Sequence, residues 1–257
     1  MKKISVEYTH GDAVAKIILN DGKGNILDYL MVEELQEQFG RFGQNGDLKL
    51  ITFEGAGKHF SFGASVEEHQ KEFVAAMLNG FHRLFFSLRE LSIPTLAKIS
   101  GQCLGGGLEL ALMCDQLFAD KTAKMGQPEI ALGVFAPPAS VLLPEKIGLS
   151  RAEDLLLTGR IIEAEEAKSF GLLNRVFEDK ADLEMGAEAW IEQYILPRSA
   201  SSLRFAVRAA RVKFNHVFGN FLPQLESLYL NQLINTADAN EGIAAFMEKR
   251  KPVWKNA

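Results

Sequence analysis

Apolar and polar residues alternate with period two over Ile4–Thr9 and Ala13–Leu19, with His10-Gly11-Asp12 between them. That pattern predicts a β-hairpin. Asn20–Asn25 reads as a loop by composition. Leu30, Val32, Leu35 and Phe39 then recur at helical spacing behind Asp28, predicting a helix capped by Asp28 and running to Phe42. The mostly apolar run Leu48–Phe53 reads as a buried strand closed by Glu54-Gly55-Ala56-Gly57. A loop over Lys58–Ser65 leads into a predicted helix from Val66 to Leu91, which Pro94 ends. Thr95–Ser100 reads as the next strand, Gly107–Met113 as a helix opened by a glycine run, and Gln116–Ala119 as another strand. Gly126-Gln127-Pro128-Glu129 reads as a turn, and Pro137 or Pro138 starts a helix ending near Ile147.

Beyond that point the pattern is mainly helical: Arg151–Leu157, Glu163–Phe170, Ala181–Tyr194, Ser199–Val217, Phe221–Asn235 and Asn240–Lys249, interrupted by the strand-like Leu173–Phe177. Strands with intervening helices come first and a run of helices comes last. The order predicts an α/β core over residues 1–196 and a helical C-terminal region over 197–257. The chain shows no internal repeat and no low-complexity segment.

Composition changes this picture little. The 257 residues, 47% hydrophobic and 24% charged, suit an ordinary globular domain with a sizeable core. No apolar run is long enough to span a bilayer, so no membrane partner is expected. The N-terminus goes straight into a strand pattern without a signal-peptide core, and a cytoplasmic location is expected. A net charge of -5 argues against nucleic acid as the partner. The charge is uneven: Arg198–Ala257 carries nine Lys/Arg against four acids, a balance of +5 that leaves the rest at -10. A solvated helix face or a patch for an anionic ligand or an acidic neighbouring subunit explains it. Cys103 and Cys114 lack the partners of a metal site and read as small buried hydrophobes; no metal is expected.

Two loops carry the candidate chemistry. Phe62-Gly63-Ala64 and Gly105-Gly106-Gly107 each follow a buried strand and lead into a helix. Their backbone N–H groups could converge on one oxygen that gains negative charge; close packing of backbone is the structural alternative. Glu109 lies on the apolar helix after the second loop, and Glu129 follows Gly-Gln-Pro. A carboxylate in such surroundings is costly unless paired or functional. Each reads either as a salt-bridged structural acid or as one half of an acid–base pair.

These segments resemble the enoyl-CoA hydratase/isomerase (crotonase) superfamily over nearly the whole chain. Lys58–Val66 is similar to the family's first oxyanion loop, Gly101–Asp115 to its second loop and following helix, Gly126–Gly133 to its second catalytic segment and Phe246–Pro252 to its C-terminal end. The resemblance implies a spiral of ββα turns with a helical C-terminal trimerisation region, assembled as a homotrimer or a homohexamer of paired trimers. It implies that the N–H groups of Ala64 and Gly106 hold a thioester oxygen while Glu109 and Glu129 add water to an α,β-unsaturated acyl-CoA. No cofactor is implied, since CoA enters as part of the substrate. Lys251 and its neighbours would meet the CoA phosphates.

Two departures bear on the substrate. Ser65 stands where the family usually has aspartate, and Phe135-Ala136-Pro137-Pro138-Ala139-Ser140-Val141 replaces a glycine-rich segment. Phe73, Met77, Phe81, His82, Phe85 and Phe86 crowd the helix after Ser65, as core or as walls of a broad acyl pocket. With Phe62, Ser65, Phe135 and Pro137 as substrate contacts, the chain resembles a narrower group, the cyclohexa-1,5-diene-1-carbonyl-CoA hydratases. His69 and His82 read as surface or packing residues, the two glutamates filling both acid–base roles. A general enoyl-CoA hydratase, an isomerase, a ring-cleaving hydrolase, or a non-catalytic CoA- or RNA-binding protein on the same scaffold are the competing functions.

Overall fold

The computed structural model describes residues 2–257. Strands β1 (Ile4–Thr9) and β2 (Val14–Leu19) pair antiparallel in the expected hairpin. His10, Gly11 and Asp12 all take positive φ in its turn. Helix α1 (Tyr29–Phe42) starts at Asp28, whose side chain accepts from the Met31 N–H at 3.0 Å. Strand β3 (Leu50–Gly55) follows and is buried along its whole length.

The helix expected over 66–91 is divided. A 3₁₀ turn spans Glu67–His69, Gln70 is extended at ψ 148°, and helix α2 runs only over Val74–Leu91. His69 Nδ1 bonds the Ser65 carbonyl at 2.7 Å, which closes the first turn locally. Strand β4 (Thr95–Ile99) is again fully buried. Three short strands escape the hydrophobic pattern because three residues are too few to show a period: β5 (Gln102–Leu104) inside the glycine segment, β7 (Lys124–Gly126), and β8 (Ile161–Glu163). Between them lie α3 (Gly106–Leu112), β6 (Gln116–Asp120), α4 (Pro137–Ile147) and α5 (Leu149–Thr158). Where a turn was expected over Gly126–Glu129, β7 ends at Gly126 and a short 3₁₀ helix spans Pro128–Leu132.

Helix α6 (Ala164–Ser169), strand β9 (Arg175–Phe177) and helix α7 (Lys180–Trp190) complete the core, α7 ending in a π-turn over Ile191–Ile195. Helices α8 (Ala200–Ala210), α9 (Val212–Asn231) and α10 (Ala237–Met247) follow. The break expected near residues 218–220 lies instead at Arg211, whose guanidinium is fixed by Asp115 (2.7 Å) and the Met113 carbonyl (2.6 Å). Helix α9 then continues through Pro223.

The strands form two sheets, β1-β2-β3-β4-β6-β9 and β5-β7-β8. From β2 onward the larger sheet is parallel, and Ile17, Phe53, Ala97 and Leu117 stand in register on one face, inside the main core. The other face packs Val14, Leu50, Leu96 and Phe118 against Leu183, Ala187 and Ile191 of α7 and its extension. Both faces being covered explains why the central strands are mostly apolar without a clean alternation. Each turn of chain contributes a long strand to this sheet, then a short segment to a second layer, then a helix. This is the expected spiral of ββα turns. Phe218 and Leu222 of α9 join the main core.

Glycines mark where backbones touch. A Cβ on Gly107 would lie 2.6 Å from Ser61 Cβ and 3.0 Å from the Ser61 carbonyl, whereas one on Gly80 in α2 meets only Val32 at 3.9 Å. Gly107→Ala is therefore expected to lower both thermal stability and turnover. Gly80→Ala is expected to stabilise the fold by about 0.5–1 kcal/mol through helix propensity and to leave turnover unchanged. Thermal unfolding and steady-state assays of the two variants check this.

Candidate active site

The second layer builds the site. Residues 24–27, 61–64, β5 and β7 run side by side. The Phe62 N–H donates to the Gly24 carbonyl and the Leu27 N–H to the Gly63 carbonyl, both at 2.9 Å. The Ser61 N–H donates to Gln102 O, the Leu104 N–H to Ser61 O and the Gly105 N–H to Gly126 O, all at 3.0 Å. Asn25 and Ser61 pin the first loop. Asn25 Nδ2 donates to the carbonyls of Ala56 (3.1 Å) and His59 (2.8 Å), and Ser61 Oγ donates to Asn25 O (2.7 Å) while accepting from the Gly63 N–H (3.0 Å).

This stitching drives the two glycine loops into contact. A Cβ on Gly63 (φ 107°) would lie 2.9 Å from Leu104 O, and one on Gly106 would lie 3.0 Å from Ala64 N. Only glycine permits that approach. Gly106 supplies the first N–H of α3, which has no acceptor within its own helix. Among the described residues no backbone hydrogen bond uses the Ala64 N–H. Two adjacent, unspent donors, one of them at a helix start, suit a developing oxyanion.

Both carboxylates face the same cavity of about 70 Å³. Glu109, 4% exposed, sits one turn into α3. Its Oε1 accepts from the Ala139 N–H at 2.9 Å. Pro137 and Pro138 open α4 and carry no N–H, so Ala139 holds the first donor that the helix can offer. Glu129 is brought in by the 3₁₀ turn after β7, and a Cβ on Gly105 would lie 2.7 Å from its Oε1. The buried Gln127 amide, oriented to satisfy its hydrogen bonds, donates to both Glu129 oxygens at 3.0 Å.

Burial sets the protonation of this pair. It pushes Glu109 well above the usual carboxylate range, and the charge of Glu129 adds to the effect against the Ala139 N–H, which opposes it. Burial pushes Glu129 up to about 7, although the residue keeps part of its surface open to the cavity. Both carboxyls therefore hold their protons to higher pH than usual, and with one ionised and the other still protonated the pair offers one base and one acid.

The cavity wall also includes Phe62, Val66, Met77, Leu78, Phe81, Phe135 and Pro137. Phe62 stands 43% exposed with its ring edge-on to His59. Ala64, Gly106, Glu109, Glu129, Phe62, Phe135 and Pro137 are thus brought together. Ser65 and Lys251 are not. Ser65 turns its carbonyl to His69 and its side chain does not line the cavity. Lys251 is exposed beyond α10, beside Arg250, which is tied to Glu241 and Glu248.

Of the bulky α2 residues, Met77 and Phe81 line the cavity, Phe85 is core, Phe86 packs on Phe218, and Phe73 is 53% exposed. His82 is buried and bonded to Glu226 at 2.5 Å. His69, read from sequence as a surface or packing residue, lines the cavity, and burial lowers its pKa so that it stays neutral. Tyr229 on α9 lines it too. Asn25 and Tyr229 were missed because each acts from a distant segment and carries no local motif, and Ser61 and Gln127, inside the motif segments, because their roles lie in hydrogen bonds that appear only on folding.

Comparison with known proteins places this geometry. The sequence profile described as enoyl-CoA hydratase/isomerase matches residues 9–257. A cyclohexa-1,5-dienecarbonyl-CoA hydratase of Thauera aromatica is 45% identical, covering 91% of this chain and 90% of its own. A probable enoyl-CoA hydratase of Mycobacterium tuberculosis is 37% identical, covering 89% and 88%. Among solved structures, an enoyl-CoA hydratase from Bacillus anthracis superposes with TM-score 0.78 at 31% identity, covering 99% and 100%. An enoyl-CoA hydratase from Mycobacterium avium subsp. paratuberculosis reaches TM-score 0.86 at 22% identity, covering 98% of each chain, which speaks for the fold. The chain belongs to the enoyl-CoA hydratase/isomerase family and is an enzyme of enoyl-CoA hydratase type.

Proposed function

We propose that this chain adds water to cyclohexa-1,5-diene-1-carbonyl-CoA. The observation that carries water addition is the placement of two unspent N–H groups, on Ala64 and Gly106, beside two buried carboxylates in one cavity. The ring substrate is supported by the Thauera aromatica relative and by the bulky apolar wall of Phe62, Met77, Phe81, Phe135 and Pro137.

The thioester carbonyl sits between the Ala64 and Gly106 N–H groups. Water oxygen bonds to the β-carbon as one ionised glutamate takes a water proton. The electron pair of the ring double bond moves onto the thioester, giving a dienolate whose oxygen charge the two N–H groups hold. Losing one such donor costs about 2.7–4 kcal/mol of transition-state stabilisation. The protonated glutamate delivers its proton to the far end of the dienolate, across the ring. The remaining double bond shifts next to the thioester, and the carbonyl re-forms. These steps draw only on backbone donors and carboxyl groups. The same reading assembles the chain as a homotrimer or a homohexamer, with exposed apolar residues such as Phe205 and Phe221 as interface candidates.

Purified enzyme is expected to turn over cyclohexa-1,5-diene-1-carbonyl-CoA with a higher kcat/KM than crotonyl-CoA; the reverse order overturns the ring substrate. Heavy-oxygen water separates the other chemistries: the label is expected in an alcohol, whereas a hydrolase places it in a carboxylate and an isomerase incorporates none.

With one proton shared by the pair, kcat/KM is expected to rise with pH through about 7 as Glu129 ionises and to fall at higher pH as the second proton leaves. A profile measured from pH 5 to 9.5 checks this. Both carboxyls bind protons more tightly in the folded than in the unfolded chain, so their contribution to stability declines as pH rises above the ordinary carboxylate range. Glu109→Gln and Glu129→Gln are each expected to lower turnover by about 100-fold or more and to raise the Tm at pH 8. Unchanged turnover in both variants removes the catalytic assignment.

A further inference from the structure

One more buried polar atom belongs to a residue that lines this cavity, and among the described residues nothing bonds it. Tyr229 projects from α9 with 1% of its surface exposed. Its ring meets Phe135 edge-on at 5.4 Å and packs in a cluster with Val74, Leu78 and Val134. Its hydroxyl is buried with no hydrogen-bond partner among the described residues, and the residue lines the cavity that Glu109 and Glu129 share. Burial, with the charge of Glu129 second, raises the phenol above its ordinary value, so the group stays protonated and can donate. An unbonded hydroxyl at such a place is destabilising until something in the cavity accepts from it.

The chemistry of the occupant limits what that acceptor is. The acyl ring of a diene is hydrocarbon and offers none. The thioester oxygen is assigned to Ala64 and Gly106. Within the acyl thioester itself, the part that reaches the two carboxylates, the remaining oxygen is the one being added: the attacking water, and after reaction the alcohol it becomes. We propose that the Tyr229 hydroxyl donates a hydrogen bond to this oxygen, orienting the water for attack and marking the site for the hydroxylated product. The assignment rests on water addition as the reaction of this cavity, and it does not depend on whether the acyl group is a ring.

Tyr229→Phe removes one oxygen and keeps the aromatic packing. It is expected to weaken binding of 6-hydroxycyclohex-1-ene-1-carbonyl-CoA by about 2- to 10-fold, the value of one hydrogen bond. Binding of cyclohex-1-ene-1-carbonyl-CoA, which lacks the hydroxyl, is expected to stay the same. In hydration assays kcat falls by a similar factor, while KM for the unsaturated thioester holds. Equal weakening of both ligands, or no change in product affinity and kcat, overturns the proposal. So does a displaced acidic limb of the pH profile with product affinity intact, because that places the hydroxyl on Glu129.

If the wild-type enzyme hydrates crotonyl-CoA and not the cyclic diene, the ring substrate fails, and the same comparison is made with 3-hydroxybutyryl-CoA and butyryl-CoA. If it hydrates neither, the role of Tyr229 falls together with water addition.

Discussion

Everything at this site depends on the backbone pairing of the second layer. Four short segments, 24–27, 61–64, 102–104 and 124–126, hydrogen-bond in a row. Their order in space follows the order of the parallel strands that precede them. Ala64 therefore reaches Gly106, and Gly105 reaches Glu129, without any side chain having to recognise another. The glycines are consequences of this row. Gly63, Gly105, Gly106 and Gly107 stand where a neighbouring backbone or carboxylate occupies the space of a Cβ.

The same layering explains why two carboxylates are affordable in an apolar setting. Glu109 lies under the start of α4, whose Pro-Pro opening leaves the Ala139 N–H to meet it. Glu129 is met by Gln127. Among the described residues each acid is held by a neutral donor and neither by a cation. A lysine or arginine partner would fix both as carboxylates; neutral donors leave them raised and able to share a proton. The departure that set this sequence apart, Phe135–Val141 in place of glycines, thus shapes the cavity wall and also anchors one catalytic candidate.

Much of the fold was legible because the long elements carry strong periodicity. The buried runs at β3 and β4 and the capped helix after Asp28 stand where the pattern puts them. The three-residue strands β5, β7 and β8 were not legible, since they hold their places by backbone bonds to remote segments. The divided helix after Ser65 was missed because the polar run Glu67–Glu72 contains no Gly or Pro to signal a break, while His69 closes a local turn. The glutamates and the two loops were readable from local motifs. Tyr229 and Asn25 were not, because their positions beside those motifs exist only after the spiral and α9 close over the cavity.

The most direct measurement is a structure of the enzyme with an unreactive acyl-CoA thioester bound. The thioester oxygen is expected about 2.7–3.1 Å from both the Ala64 and Gly106 nitrogens, with the acyl β-carbon facing the Glu109–Glu129 pair. A carbonyl bound away from either nitrogen, or an acyl group directed away from the two carboxylates, would contradict it.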